Sequence, residues 1–141
     1  MNAVHQEQYI EVGIDNEKYV VKIQDIHEII KLQDITKIPI SKNYVKGVIN
    51  LRGSIVPVIC LRSRFRMAEA AYTKATRIVV IHYADEMVGM IVDQVNRVVA
   101  ISEIQPPLDV VGGQDGSCII GFGKTDNGLV CLLNLEQVLR H

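Results

Sequence analysis

Four times along the chain a short run of β-branched and aliphatic residues meets a second such run across a few turn-forming residues. The pairs are "YIEVGI" (9–14) with "YVVKI" (19–23), 46–51 with 54–60, "TRIVVIHY" (76–83) with "MVGMIV" (87–92), and "CIIGFG" (118–123) with "LVCLLN" (129–134). Alternation of this kind, closed by Asp-Asn, Arg-Gly, Ala-Asp and Asp-Asn-Gly, is the signature of antiparallel hairpins. Helical periodicity is scarce. "QDIHEIIK" (24–31) sets Ile26, Ile29 and Ile30 at i, i+3, i+4 and predicts a short helix. "NLEQVLR" (134–140) predicts a terminal helix with Asn134 as its N-cap. "DITKIPI" (34–40) reads as a strand cut off by Pro39, and "QPPLDVVGGQDGS" (105–117) as a loop. Short antiparallel strands in a small chain favour closed or nearly closed barrels, mainly β with short helices. Pro57 then belongs at an edge or a bulge, because it cannot donate to a ladder.

The chain also repeats itself. Laying "YVVKIQDIHEII" (19–30) over "VGMIVDQVNRVV" (88–99), a shift of 69, matches Ile26, Ile29 and Ile30 to Val95, Val98 and Val99. Laying "IVPVICLR" (55–62) over "LVCLLNLE" (129–136), a shift of 74, matches apolar to apolar at most positions. Each half then holds a hairpin, an apolar segment, a second hairpin and a short helical turn, which predicts two similar β-units.

Composition narrows the function. At 141 residues the chain can bury a core without staples, and with 5% aromatic residues and no Trp that core is aliphatic. A formal net charge of −1 provides no field for nucleic acid or an acidic membrane. Cys60, Cys118 and Cys131 form no CxxC pair and read as reduced thiols in a cytoplasm. "MNAVHQEQ" lacks the basic and apolar regions of a secretory signal, and no apolar run is long enough to span a bilayer.

Candidates for catalysis are thin. His5, His27, His82 and His141 sit in no metal-ligand spacing, and Asp109 and Asp115 have no paired partner. "GFGKTDNG" leads into a turn and a strand, whereas a phosphate loop must open a helix. Cys118 and Cys131 lie in apolar strands, the setting of inert thiols. "RSRFR" (62–66) reads as a solvated basic face. These residues point to a protein that is not an enzyme and needs no cofactor.

One turn stands out. Gly47, Asn50, Arg52 and Gly53 are small or polar residues set into the apolar stretch "VKGVINLRGSIVPVICLRSRF" (45–65). Gly53 can supply positive φ for a hairpin with Arg52 pointing into water. Equally, Gly47 can admit another backbone while Arg52 donates to a partner's carboxylate or amide. The residues alone leave both readings open.

Residues 46–65, "KGVINLRGSIVPVICLRSRF", resemble the pattern KG-(V/I)-x-NLRG-x-(I/V)-(V/I)-P-(V/I)-x-D-LR-x-x-F of the CheW family, the coupling proteins of bacterial chemotaxis. The resemblance extends through "YVVKIQDIHEI" (19–29), "VVIHYADEMVGMIVDQVNRVVAI" (79–101) and "IIGFGKTDNGLVCLLNLEQVL" (119–139), and so covers about residues 8–140 of a single domain, 1–141. It implies two intertwined five-stranded SH3-like barrels with a hydrophobic groove between them, and an adaptor without catalysis, cofactor or metal. The implied partners are the cytoplasmic tip of transmembrane chemoreceptors and the CheW-like regulatory domain of the histidine kinase CheA, which places the chain in the cytoplasm at receptor arrays. An adaptor for another chemosensory kinase, such as one serving pili-based motility, is the alternative. By the same resemblance Gly47, Asn50, Arg52 and Gly53 match receptor-contact positions, and Ile26 and Glu28 match the kinase side. Ile29, Ile30 and Val98 are candidate groove walls or ordinary core. The chain departs from the pattern at Cys60, where the family usually has Asp; the repeat sets Cys60 over Asn134, ahead of a helical turn, and a thiol accepts a capping hydrogen bond poorly.

Overall fold

The computed structural model describes residues 7–39, 42–106 and 118–139. Residues 1–6, with His5, lie outside them, as do His141, Asp109, Asp115 and most of the expected 105–117 loop. The four expected hairpins are all present. They are β1 (Gln8–Ile14) with β2 (Glu17–Lys22), β4 (Val45–Leu51) with β5 (Ser54–Cys60), β6 (Arg77–Tyr83) with β7 (Glu86–Val92), and β10 (Ile119–Thr125) with β11 (Gly128–Leu133). Two short helices, α1 (Leu61–Arg64) and α2 (Leu135–Leu139), follow β5 and β11. Asn134 caps α2 as expected: its side-chain oxygen accepts from the Gln137 N–H at 3.3 Å.

The segment read as a helix over 24–31 is instead one 3-10 turn, Ile23–Asp25, followed by strand β3 (Ile26–Lys31). Ile26 and Ile30, four residues apart, share the inner face of a strand as they would share a helix face, and Ile29 between them is exposed, which a helical stripe would not allow. The segment 34–40 forms no strand within its described part; only Thr36 bridges, to Val48. Strands β8 (Gln94–Ala100) and β9 (Glu103–Gln105) complete the set.

Two sheets result, ordered β8-β1-β2-β11-β10-β9 and β3-β6-β7-β5-β4. They belong to two compact units, one built from the described residues up to 23 and from 96 onward, the other from 24–95. The repeat is real and holds pair by pair. A shift of 69 turns Tyr9 opposite Lys22 into Ile78 opposite Ile91, and Ile14 opposite Glu17 into Tyr83 opposite Glu86. A shift of 74 turns Val45 opposite Ile59 into Ile119 opposite Leu133, with the same bulge two residues on. The sheets do not follow the halves, however. Each half's first hairpin joins the strands of the other half: β1–β2 takes β8, β10 and β11, while β6–β7 takes β3, β4 and β5. This exchange is the intertwining that the family resemblance implies.

Closure follows the same rule in both units. Thr36, five residues past β3, exchanges backbone hydrogen bonds of 2.8 and 2.9 Å with Val48 on the far edge strand. The equivalent of Thr36 is Gln105 in β9, which pairs with Phe122, the equivalent of Val48. β9 is therefore the continuation of β8 bent onto β10, and the six-stranded sheet is a five-stranded barrel with one broken strand.

The core of the 24–95 unit is Ile49, Leu51, Val56, Val58, Ile78, Val80 and Ile91, with Ile30 and Leu32 packed on it. The other unit centres on Tyr9, Val20, Val99, Ile101, Val130 and Leu132. Each fully buried aliphatic side chain contributes about 1.5–3 kcal/mol. Pro57 corrects an expectation: β5 lies inside its sheet, between β7 and β4. Its parallel pairing with β7 starts one residue later, at Val58, and Val48 opposite points its hydrogen bonds at Thr36, so no ladder bond is lost at Pro57.

Candidate functional site

The β4–β5 hairpin ends in a two-residue turn with Arg52 at φ 48° and Gly53 at φ 93°, the double positive φ of a type I′ turn. Gly53 adopts this freely, whereas Arg52 carries strain there. Two side chains hold the turn. The Asn50 Oδ1 accepts from the Gly53 N–H at 2.8 Å, and the Gln33 Nε2 donates to the Asn50 carbonyl at 3.3 Å. The Arg52 guanidinium reaches across to β3 and forms an ion pair with the Glu28 Oε1. The His27 Nε2 lies 3.4 Å from the same oxygen. The Arg52 hydrogen bond holds the Glu28 carboxyl below the usual glutamate range.

The sequence-predicted residues thus divide. Asn50, Arg52 and Gly53 are exposed and gather at one tip, and Glu28 joins them although it was read with a different partner. Ile26 is partly buried at the start of the same strand, opposite Ile81. Gly47 is buried, and the backbone that approaches it is the chain's own: a Cβ at Gly47 would stand 2.1 Å from the Thr36 carbonyl oxygen. Its repeat equivalent Gly121 meets the Gln105 carbonyl in the same way, at 2.2 Å. Glycine at both positions is what barrel closure requires. Of the candidate groove walls, Ile30 packs on the core of its unit, while Ile29 and Val98 are exposed.

Sequence reading missed Ile55. It lies directly opposite Asn50 and is 68% exposed, an aliphatic side chain in water beside the Arg52 turn. Period two would have shown it, since Val56 and Val58 are buried and Pro57 shares the outward face of Ile55. The basic run 62–66 is also not a plain solvated face. Arg62 is largely buried, donates to both Asp93 oxygens at 2.9 and 2.7 Å and to the Ala68 carbonyl at 2.8 Å, and Arg64 stacks over the Tyr44 ring at 5.2 Å.

Cys60 is buried at the N-cap of α1 with no side-chain cap bond, where Asn134 makes one in the other unit. It lines a cavity of about 360 Å³ with Lys46, Arg62, Tyr72, Thr76 and Asp93. Burial, and then the neighbouring Cys60, push the Tyr72 hydroxyl up. Cys118 is buried, and burial raises the partly buried Cys131 thiol. Among the described residues no cluster of three or more His, Cys, Asp or Glu could hold a metal, and no helix is long and apolar enough to cross a membrane.

Known proteins share this architecture along nearly the whole chain. The chemotaxis protein CheW of Bacillus subtilis is 35% identical over 135 residues, spanning 94% of this chain and 86% of that protein. The chemotaxis protein CheW of Helicobacter pylori is 32% identical over 134 residues, 94% of this chain and 81% of its own. The crystal structure of the scaffolding protein TtCheW from Thermoanaerobacter tengcongensis superposes with a TM-score of 0.90 at 33% identity, covering 97% of this chain and 94% of that one. The family model of the CheW-like domain matches residues 8–141, and with the exchanged hairpins and the Arg52 turn in place, the chain belongs to the CheW-like domain family.

Proposed function

We propose that this chain is a non-enzymatic adaptor of chemotaxis that couples transmembrane chemoreceptors to the histidine kinase CheA, acting in the cytoplasm at receptor arrays as one domain of two barrel subdomains. The observation that carries the reading is the Arg52 tip. An exposed guanidinium is displayed on a strained turn that Asn50 and Glu28 hold in place, beside the exposed Ile55. A fixed cation next to an aliphatic side chain suits a protein surface that offers a carboxylate or amide beside an apolar residue. The names of the relatives, chemotaxis protein and scaffolding protein, support the same use.

In this reading Asn50, Arg52 and Gly53 face the receptor, with Gly47 serving that face indirectly by letting the bulged strand close. Ile26 and Glu28 face the CheA regulatory domain. The test is retention of the purified chain by immobilised CheA regulatory domain and, separately, by a receptor cytoplasmic tip. Failure of both at concentrations on the order of tens of micromolar would overturn the proposal.

A further inference from the structure

Helix α1 ends in a Schellman motif that carries an arginine at the glycine position. The Met67 N–H donates to the Arg62 carbonyl at 2.8 Å and the Arg66 N–H to the Ser63 carbonyl at 3.1 Å, the bond pair of that motif. The residue between the C-cap Phe65 and Met67 must then turn left-handed, and Arg66 does so at φ 61°. Glycine takes this conformation without steric cost, whereas a residue with a Cβ does not. Strain of the same kind displays Arg52 at the other end of β5, where the side chain has a contact to make.

Arg66 lines a cleft of about 570 Å³ together with Asn43, Tyr44, Ser63, Arg64, Met67 and Glu69. Arg64 is positioned there by the Tyr44 ring, over which it sits at 5.2 Å. Glu69, the acid of the lining, is met by Lys46, whose Nζ stands 3.2 Å from its Oε1. The cleft therefore presents two guanidinium groups, the Ser63 hydroxyl and the Asn43 amide, with the negative charge of its lining already matched by a further cation. Two planar forks of donors suit an anion with several oxygens, and hydroxyl and amide groups can donate to the oxygens the forks leave over. A carboxylate has two such oxygens and one charge; a phosphate monoester has three and close to two charges. We propose that this cleft binds a phosphate monoester between Arg64 and Arg66. It lies at the opposite end of the seven-residue strand β5 from the Arg52 turn, so a phosphate here does not compete with a partner at Arg52, and the site stands apart from the adaptor reading.

Titration of the whole chain with inorganic phosphate, adenosine monophosphate and O-phosphoserine, each against sodium chloride at matched ionic strength, reads this out through backbone amide shifts. Saturable shifts are expected at 43–44 and 62–67, with a dissociation constant of about 1 mM or below for the tightest phosphate and no saturation with chloride. Arg64→Gln and Arg66→Gly are each expected to weaken binding about tenfold. Arg66→Gly also relieves the backbone, so its thermal midpoint is expected to hold or rise while binding falls, a combination that misfolding cannot produce. Lys124→Gln, which removes one charge from the other unit, is expected to leave binding unchanged. Esters that bind more tightly than inorganic phosphate identify the source as an organic phosphate, and equal affinities identify it as the free ion; either result supports the site. Three results overturn the proposal: no saturation by any phosphate up to about 20 mM, chloride shifts equal to phosphate shifts, or wild-type binding by folded Arg66→Gly.

Discussion

Arg52 and Glu28 are bound to each other. They are 24 residues apart in the chain, on a turn and on an edge strand, and their ion pair joins the faces proposed above for the receptor and for the kinase. A substitution at either residue therefore alters both faces. Arg52→Glu is expected to abolish retention by the receptor tip while the thermal unfolding midpoint changes little, since the pair is solvent-exposed. Glu28→Ala is expected to weaken both interactions, because it removes a kinase-side residue and releases the guanidinium. If Arg52→Glu left receptor retention intact in a folded protein, Arg52 would have no part in that contact.

The same pair predicts a pH dependence. The Arg52 hydrogen bond lowers the Glu28 pKa in the folded protein, so the carboxylate form is favoured by folding. Its contribution is complete above the unfolded glutamate pKa and is lost as pH falls through the lower folded value. Carboxyl chemical shifts followed through an acid titration are expected to place the Glu28 midpoint below the usual glutamate range, and to return it upward in Arg52→Ala. A Glu28 midpoint that did not move in Arg52→Ala would show that the pair does not persist in solution.

Gly47 has a structural duty that precedes any binding role. Its φ of 144° and the 2.1 Å approach of the Thr36 carbonyl leave no room for a Cβ, and Gly121 has the same crowding against Gln105. Gly47→Ala and Gly121→Ala are each expected to destabilise by about 2 kcal/mol or more in urea unfolding. Gly121 belongs to the other unit, so equal losses at the two positions would trace the effect of Gly47 on partners to barrel closure.

Cys60 is the mirror case, a position where the fold accepts less than it could have. Its backbone, at φ −105° and ψ 119°, already has the N-cap conformation, and only the side-chain acceptor is missing. Cys60→Asn, copying Asn134, is expected to raise stability by about 0.5–1 kcal/mol. Denaturant midpoints of the two proteins decide this; a lower midpoint for Cys60→Asn would mean that the packing of the thiol against the Tyr72 cavity outweighs the cap.

Local chemistry was readable in the sequence, and partnership was not. The hairpins, the Asn134 cap and the shifts of 69 and 74 come from alternation and turn residues, which act over a few positions. The periodicity of 24–31 failed because Ile26 and Ile30 share a face in a strand as well as in a helix, and only the exposure of Ile29 tells the two apart. A repeat reports likeness between segments but not which copy pairs with which, so the hairpin exchange was invisible without the family pattern. The proposed receptor and kinase positions came through that pattern too, and the ion pair between them did not, since β3 and β4 stand at opposite ends of the strand order and Glu28 and Arg52 meet only when the sheet curls on itself. Asp93, far from Arg62 in the chain, was hidden for the same reason.

Glu11 is the sharpest instance, because it stands where its repeat equivalent is Val80, a core residue. A carboxylate with 1% exposure needs partners, and the neighbouring strand supplies them in part: the Asn96 Nδ2 donates to Oε2 at 2.7 Å, while Oε1 accepts no hydrogen bond among the described residues and has the Arg97 Nε 3.6 Å away as its ion-pair neighbour. Arg97 in turn occupies the position of Glu28, whose own repeat-related neighbour is the apolar Val80. Glu11 and Arg97 in one barrel therefore stand where the other barrel has Val80 and Glu28, so acid and arginine are exchanged together. Glu11→Ala is expected to destabilise by about 1–3 kcal/mol, since it removes one acceptor of the Asn96 amide and the ion-pair neighbour of Arg97 and leaves a void. Glu11→Val, the residue the other barrel uses, fills the void and is expected to cost less, while Glu11→Val combined with Arg97→Glu rebuilds the arrangement of the Glu28 barrel and should cost less than the two single changes added together. Urea unfolding of the wild type, Glu11→Val, Arg97→Glu and the double variant closes the cycle; strict additivity would mean that Glu11 and Arg97 are not coupled.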